Sequence, residues 1–133
     1  LLGICLGMQL LGKVSQEKGQ KADELVECLG LCDGEVKLLQ TGDLPLPHMG
    51  WNNLVIEQAH PLLDGVSSGD HTYFVHSYHF KTHRPADRIA YVDYGQDITA
   101  IIGRETMVGM QFHPEKSQTA GLRLIGNFLR WAP

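Results

Sequence analysis

The chain opens on an apolar run, Leu1-Leu2-Gly3-Ile4, that reads as the end of a buried strand. Leu6, Leu10 and Leu11 then recur at helical spacing and predict a helix from Leu6 to about Ser15. Glu35 to Gln40 and Trp51 to Glu57 are strand candidates on either side of a loop holding Pro45, Pro47 and Gly50. His60 to Leu63 suggests a short helical turn. Thr72 to Tyr78 reads as a strand, because aromatic and β-branched residues dominate it. Arg88 to Tyr94, Thr99 to Gly103 and Val108 to Phe112 follow through Gly-containing turns and predict an antiparallel meander. Thr119 to Arg130 closes the chain as a helix, with Leu122, Leu124, Ile125, Phe128 and Leu129 as a broad apolar face. The sum is a mixed α/β domain without repeats or low-complexity segments.

Composition narrows this little. The 133 residues suit one domain, and 43% hydrophobic with 20% charged residues is ordinary for a globular chain. A net charge of -4 without any Lys/Arg run gives no general attraction to nucleic acid or to an anionic membrane surface. The apolar stretches fall short of the roughly 18 residues of a spanning helix. Three cysteines, at 5, 28 and 32, are too few and oddly numbered for a disulfide framework, which predicts a reducing compartment, by default the cytoplasm. A core strand at a terminus without an initiator Met suggests an N-terminal truncation, since parallel sheets are covered by preceding strands and crossovers.

The chemistry concentrates at two places. Gly3-Ile4-Cys5-Leu6-Gly7 has the Gly-x-nucleophile-x-Gly form of a strand-turn-helix elbow, where glycines on both sides are expected to relieve crowding by Cβ atoms. The turn would set Cys5 at a helix N-terminus that favours thiolate, with the N–H of Leu6 as an oxyanion donor. A lone cysteine is more often a small buried hydrophobe, and that is how Cys28 and Cys32 read, without a second Cys/His pair at zinc spacing. A cysteine nucleophile needs a base. Gly109-Met110-Gln111-Phe112-His113-Pro114-Glu115 delivers a His from an apolar strand; Pro114 should keep His113 extended so that Glu115 projects to the same side and fixes its tautomer. His76 and His79 are rivals without an adjacent carboxylate, better suited to lining a pocket.

Together, Gly3-Ile4-Cys5-Leu6-Gly7-Met8-Gln9 and Gln111-Phe112-His113-Pro114-Glu115 resemble the class I (triad) glutamine amidotransferases. Pro47-His48-Met49-Gly50-Trp51-Asn52, Tyr73-Phe74-Val75-His76-Ser77-Tyr78, His113-Pro114-Glu115-Lys116-Ser117 and Gly121-Leu122-Arg123 resemble, more narrowly, the glutaminase subunits of imidazole glycerol phosphate synthase. The resemblance covers nearly the whole chain and makes residues 1–133 the C-terminal portion of an amidotransferase domain. It implies a mixed α/β fold with a largely parallel central sheet flanked by helices and an antiparallel C-terminal part. It implies a Cys5-His113-Glu115 triad that hydrolyses L-glutamine, and a heterodimer with a (β/α)8-barrel cyclase subunit that receives the ammonia during histidine biosynthesis. Gln9, Glu17 and the backbone of His76, Ser77 and Tyr78 would hold glutamine, while Trp51, Asn52, Tyr73 and Lys116 would face the cyclase. Neither metal nor other cofactor is implied.

Each assignment has a plainer counterpart: backbone bonding for Gln9, a solvated face for Glu17 in Ser15-Gln16-Glu17-Lys18, a core position for Trp51. Family members also carry upstream strands and a Gly-rich loop that donates the second oxyanion N–H, so this chain alone is expected to turn over glutamine poorly. The competing readings are an amidotransferase of anthranilate, guanylate or carbamoyl phosphate synthesis, a cysteine hydrolase of related fold, a non-catalytic domain, and a zinc enzyme using His76, His79 and His113.

Overall fold

A computed structural model describes residues 1–17 and 25–132. Lys18 of the polar stretch lies outside them. In chain order the strands are β1 (Leu2–Ile4), β2 (Val14–Ser15), β3 (Val26–Glu27), β4 (Gly34–Leu38), β5 (His48–Asn53), β6 (Val55–Ile56), β7 (His71–His76), β8 (Tyr78–Thr82), β9 (Arg88–Asp93), β10 (Asp97–Arg104) and β11 (Met107–Met110). Among the described residues, two α-helices, α1 (Leu6–Gln9) and α2 (Gln118–Arg130), and three short 3-10 turns complete them.

The central sheet has the order β1-β11-β10-β9-β6; a second of four strands runs β3-β2-β4-β8, and β5 pairs with β7. Alternation along β10 and β11 puts the central sheet between two apolar layers. Ile101, Val108 and Met110 face a cluster that includes Phe74, Phe112 and Leu124 of α2; Ile102 and Met107 face Met8 of α1 with Val36 and Phe80 of the four-stranded sheet. A bulge leaves Ala100 as an extra residue on β10, so Ala100 and Ile101 both enter the first cluster. On the other side the register with β11 is unbroken, and the Ala100 carbonyl takes the N–H of Gln111, 2.9 Å away, which carries pairing one residue past β11.

The mixed α/β class and the C-terminal meander agree with the sequence; a largely parallel sheet does not. Among the described strands only β1–β11 and β2–β4 run parallel. β9, β10 and β11 follow one another through short turns, such as the two residues between β10 and β11, which permit only antiparallel neighbours, and the other paired strands are antiparallel as well.

Three local expectations change as well. The helix predicted from Leu6 to Ser15 stops at Gln9, and Val14–Ser15 is strand. The chain there is pressed onto the four-stranded sheet: a Cβ at Gly12 would lie 2.8 Å from the Phe80 ring and 3.1 Å from the Gly34 carbonyl, while Leu10 is exposed. The strand expected from Thr72 to Tyr78 breaks at Ser77, where the chain passes from β5's partner to β4's partner. On α2, the buried stripe is Gly121, Leu124 and Asn127, and Leu122 and Leu129 sit on the opposite side at 68% and 77% exposure. Asn127 earns its buried place by donating to the carbonyls of Leu62 (2.7 Å) and Asp64 (2.8 Å).

Candidate active site

Cys5 lies where β1 ends and α1 begins, with φ +52° and ψ -111°, a left-handed backbone that a residue with a Cβ adopts only under strain. Its N–H donates to the Met110 carbonyl at 2.7 Å and its own carbonyl accepts from the Gln9 N–H at 3.2 Å, which hold the sharp turn from both sides. Gly3 is required for that closeness: a Cβ there would lie 2.6 Å from the Gly7 carbonyl oxygen and 2.8 Å from the Met8 nitrogen. Gly7 is not, for a Cβ on it meets nothing within 4 Å. The crowding expected on both sides of the nucleophile exists on one.

The thiol is also not driven to thiolate. Burial pushes the Cys5 pKa above its ordinary 9.0, and the carboxylates of Glu17 and Glu115 add to the rise; the Leu6 N–H and the Gln111 amide pull the other way without winning. A four-residue helix aligns too few peptide dipoles to reverse the burial cost. Cys5 at neutral pH is therefore a thiol that requires a base.

That base can come from the neighbouring strand. β1 and β11 are parallel, with Ile4 level with Met110, so Cys5 and Gln111 leave the sheet side by side and His113 follows two residues later. His113 Nδ1 lies 2.8 Å from Glu115 Oε1, which leaves Nε2 as the free ring nitrogen. The pairing matches expectation, but its origin differs. His113 is extended, with φ -95° and ψ 100°, as a residue before proline should be, while Pro114–Lys116 forms a 3-10 turn instead of continuing straight. The turn, not a pleat, brings Glu115 back to His113. The backbone of His113 is clamped too: its N–H donates to the Tyr73 carbonyl (2.9 Å), and its carbonyl accepts the Ser117 hydroxyl (2.7 Å), which itself accepts from the Tyr73 N–H (3.0 Å).

Gln9 is 2% exposed. Its Nε2 donates to the Tyr78 carbonyl (3.2 Å) and to Gln111 Oε1 (3.0 Å), and Gln111 Nε2 in turn points at Cys5 Sγ, 3.7 Å away. With its nitrogen so committed, Gln9 holds a buried Oε1 that no donor among the described residues satisfies. Gln9, Leu6 and Glu17 line a slot of about 50 Å³ together with Leu10, Ser15, Val26 and Cys28. His76 ends β7, Ser77 makes the bend and Tyr78 starts β8, with the Tyr78 carbonyl against the Gln9 amide. The carbonyl of Ser77 accepts from the Leu39 N–H (2.9 Å), and that of Tyr78 accepts from both Gln9 and His76 Nδ1 (2.8 Å).

Trp51 is not a core residue: it is 48% exposed and stands edge-on to Tyr73, ring centroids 5.7 Å apart, with Lys116 Nζ 5.9 Å from the Tyr73 ring. Asn52 turns inward, its Nδ2 donating to the Asp93 carbonyl (2.9 Å) and facing His48 Nε2 (3.3 Å). Cys28 and Cys32 are free thiols; Cys32 is fully buried beside Asp87, and burial followed by that carboxylate pushes it up to about 11. His79, 5% exposed, is pulled down to about 4 chiefly by burial, with Lys81 and His76 adding in the same sense. Among the described residues no three His, Cys, Asp or Glu groups are arranged to hold a metal ion, and no helix is long and apolar enough to cross a membrane.

Two residues of this network were not singled out from sequence. Gln111 carried a readable signal, a polar residue inside an otherwise apolar run. His48 carried none, because its partners come from distant strands.

The elbow cysteine and the His113–Glu115 pair thus follow the ends of two adjacent parallel strands in an α/β fold. The family model for Glutamine amidotransferase class-I matches residues 1–131, and the chain belongs to that family. It is 63% identical over 129 residues to "Imidazole glycerol phosphate synthase subunit HisH 1" of Vibrio vulnificus (strain YJ016), covering 97% of this chain and 62% of that protein. To the subunit HisH of Ruegeria pomeroyi it is 55% identical, over 99% of this chain and 61% of the relative. The chain thus spans about three-fifths of the length of these relatives. The fold is similar to a solved glutamine amidotransferase of Thermotoga maritima (TM-score 0.63, 20% identity, 97% of this chain and 46% of that one). A further solved glutamine amidotransferase matches with TM-score 0.64 at 19% identity, over 98% of this chain and 59% of the other.

Proposed function

We propose that this chain carries the catalytic half of a glutaminase that feeds ammonia to the cyclase of imidazole glycerol phosphate synthase, a step of histidine biosynthesis. The observation that carries the reading is the joining of the two motifs at adjacent parallel strand ends, with Glu115 on one ring nitrogen of His113 and Gln111 on Cys5 Sγ. The identity to HisH relatives favours this synthase over other amidotransferases of the class.

In this reading His113 Nε2 takes the Cys5 proton as Sγ attacks the side-chain carboxamide carbon of L-glutamine. The developing oxyanion turns toward the Leu6 N–H. The imidazolium, stabilised by Glu115, returns the proton to the departing nitrogen, which leaves as ammonia. Water, deprotonated by the same ring, cleaves the γ-glutamyl thioester to glutamate and restores the thiol. Gln9 suits a role in holding the substrate, since its unsatisfied buried Oε1 is an acceptor for an N–H group. Glu17 lines the same slot. The Tyr78 carbonyl already takes two donors and the Ser77 carbonyl one, so backbone N–H groups are the better candidate contacts at these two residues.

Trp51, Tyr73 and Lys116 make one aromatic-cationic patch of the composition of an interface anchor, which fits a cyclase docking there. Asn52 would take part from beneath it. Three free thiols fit a reducing, cytoplasmic setting.

The test is glutamine hydrolysis by the natural gene product co-expressed with the cyclase subunit, with and without cyclase ligand. Cys5→Ala should abolish turnover, and wild-type turnover by that variant would overturn the proposal.

A further inference from the structure

His48 on β5 and His76 on β7 lie opposite each other across the strand pair, His48 Nδ1 being 2.9 Å from His76 Nε2. Both are buried, at 2% and 7% exposure. The two outer nitrogens meet partners whose hydrogen-bonding sense is fixed. His76 Nδ1 faces the Tyr78 carbonyl oxygen, which can only accept, so this nitrogen carries the proton. At the other end, the Asn52 side chain is oriented by its own bonds: Oδ1 accepts the Asn53 N–H (2.8 Å) and Nδ2 donates to the Asp93 carbonyl. An NH₂ group therefore faces His48 Nε2, which must be bare.

Only one proton arrangement satisfies both ends. Each ring is neutral with its proton on Nδ1, and His48 donates to His76, which donates to Tyr78. A second proton on either ring would set N–H against N–H. The rings cannot easily swing away, since His48 is stacked on Phe74 (centroids 4.8 Å apart) and covered by Tyr94 (4.1 Å). Burial pulls both groups down to about 4, in the same sense as the geometry.

The chain of donors ends on the carbonyl that also receives Gln9 Nε2. That carbonyl thus determines which end of the Gln9 amide faces the slot, and Gln9 in turn orients Gln111 toward Cys5. We infer that His48 and His76 are positioning residues for glutamine: a tautomer-locked pair that pins the Tyr78 carbonyl and the Gln9 amide and ties strand β5 to the pocket beside Cys5. The inference rests on the glutaminase reading above.

Two measurements on the natural gene product test it. In the ¹⁵N-histidine-labelled protein at pH 7, long-range ¹H–¹⁵N correlations should give a protonated Nδ1 and a bare Nε2 for both rings. An Nε2–H on either, or a doubly protonated ring, overturns the inference. In the complex with the cyclase, His76→Asn keeps an amide donor where Nδ1 stood, whereas His76→Gln moves it toward the Nε2 end. The Gln variant should raise the glutamine KM about tenfold, the effect of one hydrogen bond, with kcat changed less than about threefold, and the Asn variant, which keeps the donor to Tyr78 but loses the acceptor for His48, should raise it less. Equal KM values in the two variants, or a loss confined to kcat, overturn the inference. Iodoacetamide should alkylate Cys5 in both within about threefold of the wild-type rate, since Gln111 is the smallest of the influences on the thiol; a reaction slowed by more would mean that the pair shapes the elbow itself and would also overturn it. If either variant fails to fold, the wild-type spectrum decides. A wild-type protein that alkylates normally and hydrolyses no glutamine would sink the glutaminase reading instead, while its spectrum still judges the pair.

Discussion

The elbow gives a prediction in which the same substitution acts with opposite sign at two positions four residues apart. At Gly3 an added methyl group would approach the Gly7 carbonyl oxygen to 2.6 Å and the Met8 nitrogen to 2.8 Å. Both are backbone atoms of a turn held by the Cys5 to Met110 and Gln9 to Cys5 hydrogen bonds, so neither can rotate away as a side chain would. Overpacking of this kind costs about 1–3 kcal/mol, and the stiffer unfolded chain returns only about 0.5–1 kcal/mol of it. At Gly7 the methyl group meets nothing within 4 Å and the residue is helical, so the second effect acts alone and stabilises by about 0.5 kcal/mol.

Urea unfolding followed by Trp fluorescence should therefore rank Gly7→Ala above wild type and Gly3→Ala below it. The two variants should differ by about 1–3 kcal/mol, which is roughly 3–10 °C in Tm for a domain of this size. Iodoacetamide should also alkylate Cys5 more slowly in Gly3→Ala, because the turn must open to admit the methyl. If Gly3→Ala were as stable as Gly7→Ala, or more so, the tight contact across the elbow would not exist as described.

Acid should unfold the protein through its buried histidines. His48, His76 and His79 are each pulled from 6.5 to about 4, chiefly by burial, so their neutrality contributes stability that is present above pH 6.5 and lost as pH falls toward 4. The urea midpoint should fall steadily over that window, and a flat profile between pH 6.5 and 5 would refute the assignment. Glu115→Gln removes the partner of His113 Nδ1 and one of the two carboxylates that raise the Cys5 thiol. It should lower glutamine turnover about tenfold or more, yet shift the midpoint of Cys5 alkylation to lower pH; a shift to higher pH would contradict the electrostatics.

How much of this was legible follows from how far apart the interacting residues are in the chain. His113 and Glu115 are two residues apart, and the elbow lies within five, so glycine, proline and side-chain chemistry announced both without knowledge of the fold. The meander was readable for the same reason, its strands being joined by short turns. The helix after Cys5 was overextended because Leu6, Leu10 and Leu11 have helical spacing, whereas what ends the helix is a ring and a carbonyl from residues 80 and 34. On α2, apolar residues occur on both sides, so the pattern could not tell the side that packs from the side bearing Leu122 and Leu129.

The same distinction explains why the network around Cys5 was harder to read than the two motifs. Gln9 meets Gln111 across 102 residues, Gln111 meets Cys5 across 106, and His48 meets His76 across 28. Each contact exists only because β1 lies parallel to β11 and β5 antiparallel to β7, in one register. A slip of one residue in either pair would turn Gln111 or His48 to the opposite face and leave its partner buried without a hydrogen bond. The two motifs could be carried by other scaffolds. The Gln9–Gln111 and His48–His76 bonds require this one, which is why they report on register as much as on chemistry.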